Sequence, residues 1–533
     1  MKYDIIIIGG GIAGLYAAYN LCKKNKILII ERSSTLGGRV KTDHIQDYPI
    51  DLGAARFSNK HKKILSLLKK FKLTEKCVKL PTKIDHYYLN QNVKYNVSKY
   101  LKKLNSSKNK YTQDFLSKIT LLQYAKRILG DKEADKLRMM FGYDAEFYKL
   151  NAYSALEMFD EDLFKDVTYY VLNGGLSQII DKLEEYLLDN NVTISKDTNI
   201  VNITDSFIID NNNHKYSFRK LITAIPKMDL KGLSIFKPLK ILDSVSSIPL
   251  IRIYAKYPLD KNGKVWFHKI NRTITDNFIR HIIPINYEEG IIMISYTDYH
   301  IAEMWNNLYL LGEEELTKKI ESEINILFGI TIPKPIEYNV YYWTEGVHMW
   351  KTNHQMDLLY QKILKPFKNK QIFICNESYS KHQCWMEGSL DMAKDVVKQI
   401  NKQKNKKTIK KNKKNKKQIG GRKKTKNIKR VLRKYKIKEV LNNKRWIILE
   451  HGRKKNIYEI SSYWFKNHPG GSGNLKKGIQ ANSFYNKKDP NKSDKSPIQL
   501  FKSIGVHSRS NVLKEYIMNL KYPKILKLVG LLK

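Results

Sequence analysis

Gly9, Gly11 and Gly14 stand in a G-x-G-x-x-G spacing, and Glu31 follows 22 residues after the first of them. Those residue types at that spacing suit the holding of a dinucleotide. The first glycine allows a tight turn, the second lets the backbone approach a pyrophosphate, and the third lets a helix pack on a strand. The acid can accept hydrogen bonds from a ribose. The fingerprint alone does not say which dinucleotide binds.

The elements that must position these residues are legible around them. Ile5 to Ile8 form an apolar run of the length expected for a buried parallel strand. Ile12 to about Lys23 reads as a helix whose N-terminus, with free N–H groups and a partial positive charge, points at the phosphate. Lys26 to Ile30 is a second strand, with Glu31 at its end. Strand, glycine turn, helix, strand and acid together make an α/β, Rossmann-like unit.

The whole chain has 533 residues, room for two or three domains, and its 42% hydrophobic and 11% aromatic content supports globular cores. Its formal charge is +46, and 20 Lys/Arg with no acid lie between Lys402 and Lys438. That run cannot bury enough apolar surface to fold alone and reads as a solvated tether. Nucleic-acid binding or nuclear targeting is its alternative use, although it has almost no interleaved aromatics. Cys22, Cys77, Cys375 and Cys384 form no C-x-x-C, which fits a reducing compartment. The first strand begins at Tyr3, where a secretory signal would lie, and no run of ~18 apolar residues marks a membrane span. A soluble, cytoplasmic protein is expected.

Three further stretches carry a resemblance: Leu36-Gly37-Gly38-Arg39, Asp51-Leu52-Gly53-Ala54, and the late block IFICNESYSKHQCWMEGSLDMAKDVV. With the glycine fingerprint they resemble the flavin-containing amine oxidases, which include monoamine, polyamine and L-amino-acid oxidases. The resemblance covers about residues 1–402. It implies a Rossmann-like FAD-binding domain (about 1–80, 170–240 and 355–402) interleaved with an α+β substrate domain (about 81–169 and 241–354). It also implies hydride transfer from an amine or amino acid to FAD. Arg39 would lie along the pyrophosphate, Val201 would meet the adenine through its backbone, and Glu377 would sit near the ribityl and phosphate. Trp385 and Met386 would turn into a helix facing the pyrimidine edge of the flavin. Arg56 matches an arginine that holds the substrate carboxylate, a task its bidentate fork suits. A salt bridge on the FAD side is its alternative role.

Several positions depart from the family. Arg252 takes the place of a lysine that holds a water beneath the flavin, and an arginine cannot readily take a proton. Ile282 and Ile283 precede Pro284, where a second carboxylate-binding group would be tyrosine. Asn376, Cys384 and Ser389 replace smaller residues at close flavin contacts. VYYWTEGVHMWKTNH contains no cysteine, so FAD is expected to be non-covalent; His348 in it reads as a structural histidine, with contact to flavin or substrate as its alternative role. Phe141 to Glu146 resembles a segment near the substrate entrance.

Beyond a linker at 403–440 the apolar pattern resumes. Trp446–Leu449 and Asn456–Ile460 read as strands around a Gly452 turn, followed by Phe465, His468-Pro469-Gly470-Gly471, GIQANSF and IGVHSRSNVLKEYI. This resembles the cytochrome b5 family, which implies a small α+β domain at 441–520 holding haem b between His468 and His507, then a tail at 521–533. The two histidines are 39 residues apart, longer than the family usually shows, and the polar run NKKDPNKSDKSP accounts for the excess as a loop. The electron acceptor would be this haem or oxygen. The alternatives are a flavin oxidoreductase on a non-amine substrate and a basic binding protein whose enzymatic domains have decayed.

Overall fold

A computed structural model describes residues 2–162, 167–417, 446–451 and 454–459. Two compact units divide the chain, Met1–Lys404 and Asn405–Lys533.

Within the first unit, Lys2–Ile8 runs through the middle of a seven-stranded sheet. It pairs in parallel with Ile27–Ile30 on one side (Ile5 with Ile27, Ile8 with Ile30) and with Lys215–Thr223 on the other (Ile6 with Leu221, Ile8 with Thr223). Thr193–Ser195 and Ile372–Ile374 add further parallel strands, so pieces distant in sequence share one sheet. Phe207–Asp210 and Ile200–Ile203 extend it antiparallel. Ile5, Ile6 and Ile7 have no exposed surface, as a doubly covered parallel strand requires. Each such side chain contributes roughly 1.5–3 kcal/mol of burial.

The second large sheet is built on Val245–Lys256, which lies antiparallel between Glu337–Trp350 and Ile291–Asp298. His281–Asn286, Thr273–Thr275, Asp85–Tyr88 and Gln91–Val93 continue it. An early segment thus joins strands from the later half, as interleaved domains demand. A third, small sheet sets Phe57–Ser58 and Cys77–Lys79 against Tyr169–Leu172.

The helix Met386–Lys417 closes the first unit, with Leu390, Val396 and Ile400 fully buried. It carries the chain past residue 403, where the sequence suggests a linker; lysine is a good helix former, so a helix anchored in the core can continue into the basic run. Among the described residues no helix is long and apolar enough to cross a membrane.

In the second unit, Trp446–His451 and Lys454–Glu459 form an antiparallel hairpin in which Leu449 faces Asn456. The expected strand pair is therefore present. His468, His507 and the rest of the b5-like segment lie outside the described residues, as does most of the lysine run.

Candidate active site

At the end of the first strand Gly9 turns with φ +104°, and its N–H donates to the Ile30 carbonyl at 2.8 Å. A Cβ on Gly14 would come within 2.1 Å of the Gly9 carbonyl oxygen, so helix and strand touch only because that position is bare. A Cβ on Gly11 would meet nothing nearer than 3.8 Å, which leaves the backbone there open to a ligand. The helix Ile12–Leu21 begins at Gly11 with no side-chain cap, so its first N–H groups remain for an anion. Gly37 N–H donates to the Gly10 carbonyl at 2.9 Å, joining the second glycine turn to the first. Glu31 accepts from Gly10 N–H at 2.7 Å and Ser33 N–H at 3.0 Å. This cradle fits a dinucleotide.

The loop beside Glu31 is tied to it through the backbone. Thr198 N–H donates to the Glu31 carbonyl at 2.9 Å. Val201 instead lies half exposed on the outermost strand, Ile200–Ile203, with three strands between it and Ile27–Ile30. It stands at the register shift in the antiparallel pairing with Phe207–Asp210.

Glu377 is the hub that joins the N-terminal turns to the late block. One oxygen accepts from Arg39 at 2.8 Å and faces His348 Nδ1 at 2.8 Å. The other accepts from the N–H groups of Cys384 (2.9 Å) and His348 (3.2 Å). Burial alone would raise its pKa, but Arg39, His348 and the Cys384 N–H outweigh burial and bring it down to about 2. His348 Nε2 stands 3.2 Å from both Glu345 and Ser378, so its structural role is to clamp two acids. Arg39 also donates to the Gly346 carbonyl at 2.8 Å.

The late helix starts at Met386, which is buried. Glu387 accepts from the N–H groups of Lys63 (2.9 Å) and Ile64 (3.1 Å), capping the helix Lys62–Lys70. Beside it the Trp385 ring stacks on Tyr169, 5.9 Å between centroids at 10°. The Arg56 guanidinium lies over both rings, 5.3 Å from Tyr169 and 5.6 Å from Trp385.

Arg252 reaches the same region from the second sheet. It donates to the Asp51 carbonyl at 2.5 Å and to the Tyr254 hydroxyl at 3.3 Å, and lies 4.6 Å over the Tyr296 ring. Tyr296 packs on Tyr143 (5.3 Å) and Tyr143 on His281 (4.6 Å). Tyrosine is missing at Ile283, yet Tyr143 and Tyr296 bring two phenols into the cluster from other elements.

Arg272 and His281 belong to this cluster and escaped the sequence reading. The parallel pairing of Thr273 with Asp85 and the antiparallel pairing of Ile274 with His281 deliver them. Arg272 Nε is buried without a hydrogen-bond partner, and burial followed by the nearby Arg56 charge brings its pKa down to about 10. Burial, helped by Arg272 and Arg280, pushes His281 well below its ordinary value, which leaves it neutral. Glu146 is driven up to about 8, first by burial and then by Asp298. Among the described residues no three His, Cys, Asp or Glu side chains group as metal ligands.

The profile of the flavin containing amine oxidoreductase family matches residues 12–401. An L-amino-acid oxidase of Crotalus adamanteus is 39% identical over 70 residues, 13% of this chain and 14% of that protein. A probable flavin-containing monoamine oxidase A of Dictyostelium discoideum is 35% identical over 66 residues, 12% of this chain and 14% of that one. Both stretches thus span only a small part of the relatives' length. In fold, the chain is similar to a putrescine oxidase redesigned for cofactor binding, with TM-score 0.61 and 15% identity over 75% of this chain and 99% of that one.

Proposed function

The chain belongs to the flavin containing amine oxidoreductase family, and on that premise we propose that it binds FAD non-covalently and oxidises an amine that bears a carboxylate. Gly9, Gly11 and Gly14 give the pyrophosphate its close approach, Glu31 takes the adenosine ribose, and Arg39 lies alongside under the hold of Glu377. Bound flavin supplies a hydride acceptor for the carbon that carries the amine. Arg56 grips the substrate carboxylate with its fork, and the Trp385 and Tyr169 rings fix that fork and keep water from it. Arg252 ties the second sheet to the Asp51 carbonyl and holds a fixed charge there; it does not accept the substrate's proton.

The observation that carries this reading is Arg56, laid over two aromatic rings with no carboxylate within 4.0 Å among the described residues; one of those rings, Trp385, follows Cys384, whose N–H meets Glu377. Anaerobic addition of amino acids and of simple amines to the purified protein tests it. Bleaching of the flavin by amino acids, and much less by the matching decarboxylated amines, is expected. A flavin that no amine bleaches would sink the reading.

The electrons' destination is proposed as haem b on His468 and His507, with oxygen as the other acceptor; the support is the HPGG pattern in the sequence. A haem absorbance band in the purified protein, reduced after substrate is added, separates the two. Sparse cysteines support an intracellular, cytoplasmic location, and the lysine run supports nuclear targeting as its alternative.

A further inference from the structure

Two guanidinium groups lie over neighbouring rings, and a third stands near them. Arg252 lies over Tyr296, Arg56 over Tyr169 and Trp385, and Tyr143 packs between Tyr296 and His281. Arg272 stands close enough to Arg56 for the two charges to oppose each other. None of the three has a carboxylate within 4.0 Å among the described residues, whereas Arg138 and Arg280 nearby both pair with Asp144, at 2.6 and 3.2 Å.

The acids that face the cluster are otherwise engaged. Asp51 accepts from Thr42 Oγ1 and Leu176 N–H, and Asp298 from the N–H groups of Asp144 and Ala145. Glu146, pushed up to about 8, keeps its proton at neutral pH, and its Oε2 has no partner. Arg272 Nε and the Tyr143 hydroxyl are likewise buried donors without acceptors. Buried charge left unpaired is costly, so such a cluster is built to be completed by an anion. Arg252 is held by the Asp51 carbonyl, and a single substrate carboxylate answers only Arg56.

We propose that Arg272, with the Tyr143 hydroxyl, binds a second acidic group, so that the pocket takes a dicarboxylic amine of the acidic α-amino-acid class. The inference rests on the amine-oxidising reading but is tested apart from it. Holoenzyme is mixed anaerobically with L-glutamate, L-aspartate and L-leucine, and flavin bleaching is followed. Glutarate, which has no amine to oxidise, is titrated separately while the flavin spectrum is watched. The acidic amino acids are expected to bleach the flavin at lower concentration than leucine. In R272Q their KM should rise about 100-fold while that for leucine moves little, and R272K should recover part of the loss. Glutarate should perturb the wild-type flavin and not that of R272Q. Equal use of leucine and glutamate, or an R272Q variant that weakens both alike, would overturn the proposal. Were no amine to bleach the flavin, glutarate binding that depends on Arg272 would still support the second acid site, and its absence would overturn it.

Discussion

The two charged clusters of the first unit solve opposite problems. At the nucleotide end the charges are closed on themselves: Arg39 meets Glu377, Glu377 meets His348, and His348 meets Glu345. At the end proposed to take the substrate, Arg56 and Arg252 meet rings, a carbonyl and a hydroxyl, Arg272 leaves its Nε unpaired, and none of the three has a carboxylate within 4.0 Å among the described residues. The first arrangement is complete without a ligand and can serve as scaffold. The second is incomplete without one, which is how a site discriminates: it binds what supplies the missing charge. The difference also separates the acids. Glu377 is ionised down to about 2, while Glu146 holds its proton up to about 8.

Breaking the closed cluster should cost most. In E377A, Arg39 and His348 lose their shared acceptor, and breaking such a buried pair costs roughly 3–5 kcal/mol. Chemical denaturation and the flavin-to-protein ratio should both fall. A variant that keeps its flavin and its stability would place the hub elsewhere.

Breaking the open cluster should leave the fold alone. R56Q removes a half-buried charge that has no carboxylate partner among the described residues, so stability should hold or rise slightly, with flavin retained. The rate constant for flavin reduction over KM should fall about 100-fold for amino acids. If R56Q unfolds the protein instead, Arg56 is a structural cation and the comparison collapses.

The packing of the cradle can be tested separately. A methyl group at Gly14 would press on the Gly9 carbonyl, 2.1 Å from the ideal Cβ, so G14A should lose roughly 1–3 kcal/mol and weaken flavin retention together. The substrate cluster should keep its amino-acid preference in whatever fraction remains loaded.

The two acids give pH dependences of opposite sign. Glu377 has a folded pKa below its ordinary value of 4.5, so its contribution is present above 4.5 and is lost as pH falls towards 2. Glu146 has a folded pKa above 4.5, so its contribution is present below 4.5 and is lost as pH rises through about 8. Above that pH a carboxylate forms in the field of Arg56, with Asp298 and Asp144 also nearby, and should compete with an anionic substrate. KM for amino acids should therefore climb above pH 8 in the wild type and stay flatter in E146Q, as steady-state or stopped-flow titration can read.

The same contrast governs what the sequence discloses. The glycine turns and Glu31 are local: their spacing is set by one strand–helix–strand unit, so they are readable where they stand. Arg39 and Glu377 lie far apart in the chain, yet each sits in a stretch that resembles a family motif, and the structure joins them. Val201 stands on the outermost strand, and an alternating strand gives no sign of which edge it will take. The substrate cluster draws on Arg56, Tyr143, Tyr169, Arg252, Arg272, His281, Tyr296 and Trp385, one or two from each of many segments. Arg272 carries no local signal at all; only the pairing of Thr273 with Asp85 brings it in. His468 and His507 rest on sequence pattern, as does the haem they would hold.

The smallest expected effect falls where the two clusters meet. Cys384 lies between them: its N–H donates to Glu377 at 2.9 Å, and the next residue is Trp385, which carries Arg56. It holds φ +70°, a backbone region that costs a residue with a side chain about 1 kcal/mol and costs glycine nothing. Burial raises its thiol pKa well above the ordinary value, so the thiol stays protonated and offers Glu377 no charge. C384G should thus relieve backbone strain while keeping the N–H that Glu377 needs. The added chain entropy of glycine in the unfolded state offsets part of the gain, leaving several tenths of a kcal/mol of stabilisation. Flavin retention should be unchanged or slightly better, and KM for amino acids should not move, because neither Arg56 nor Arg272 touches the thiol. A C384G variant that loses substrate preference while holding its flavin would mean that the two clusters are coupled through this turn rather than merely adjacent to it.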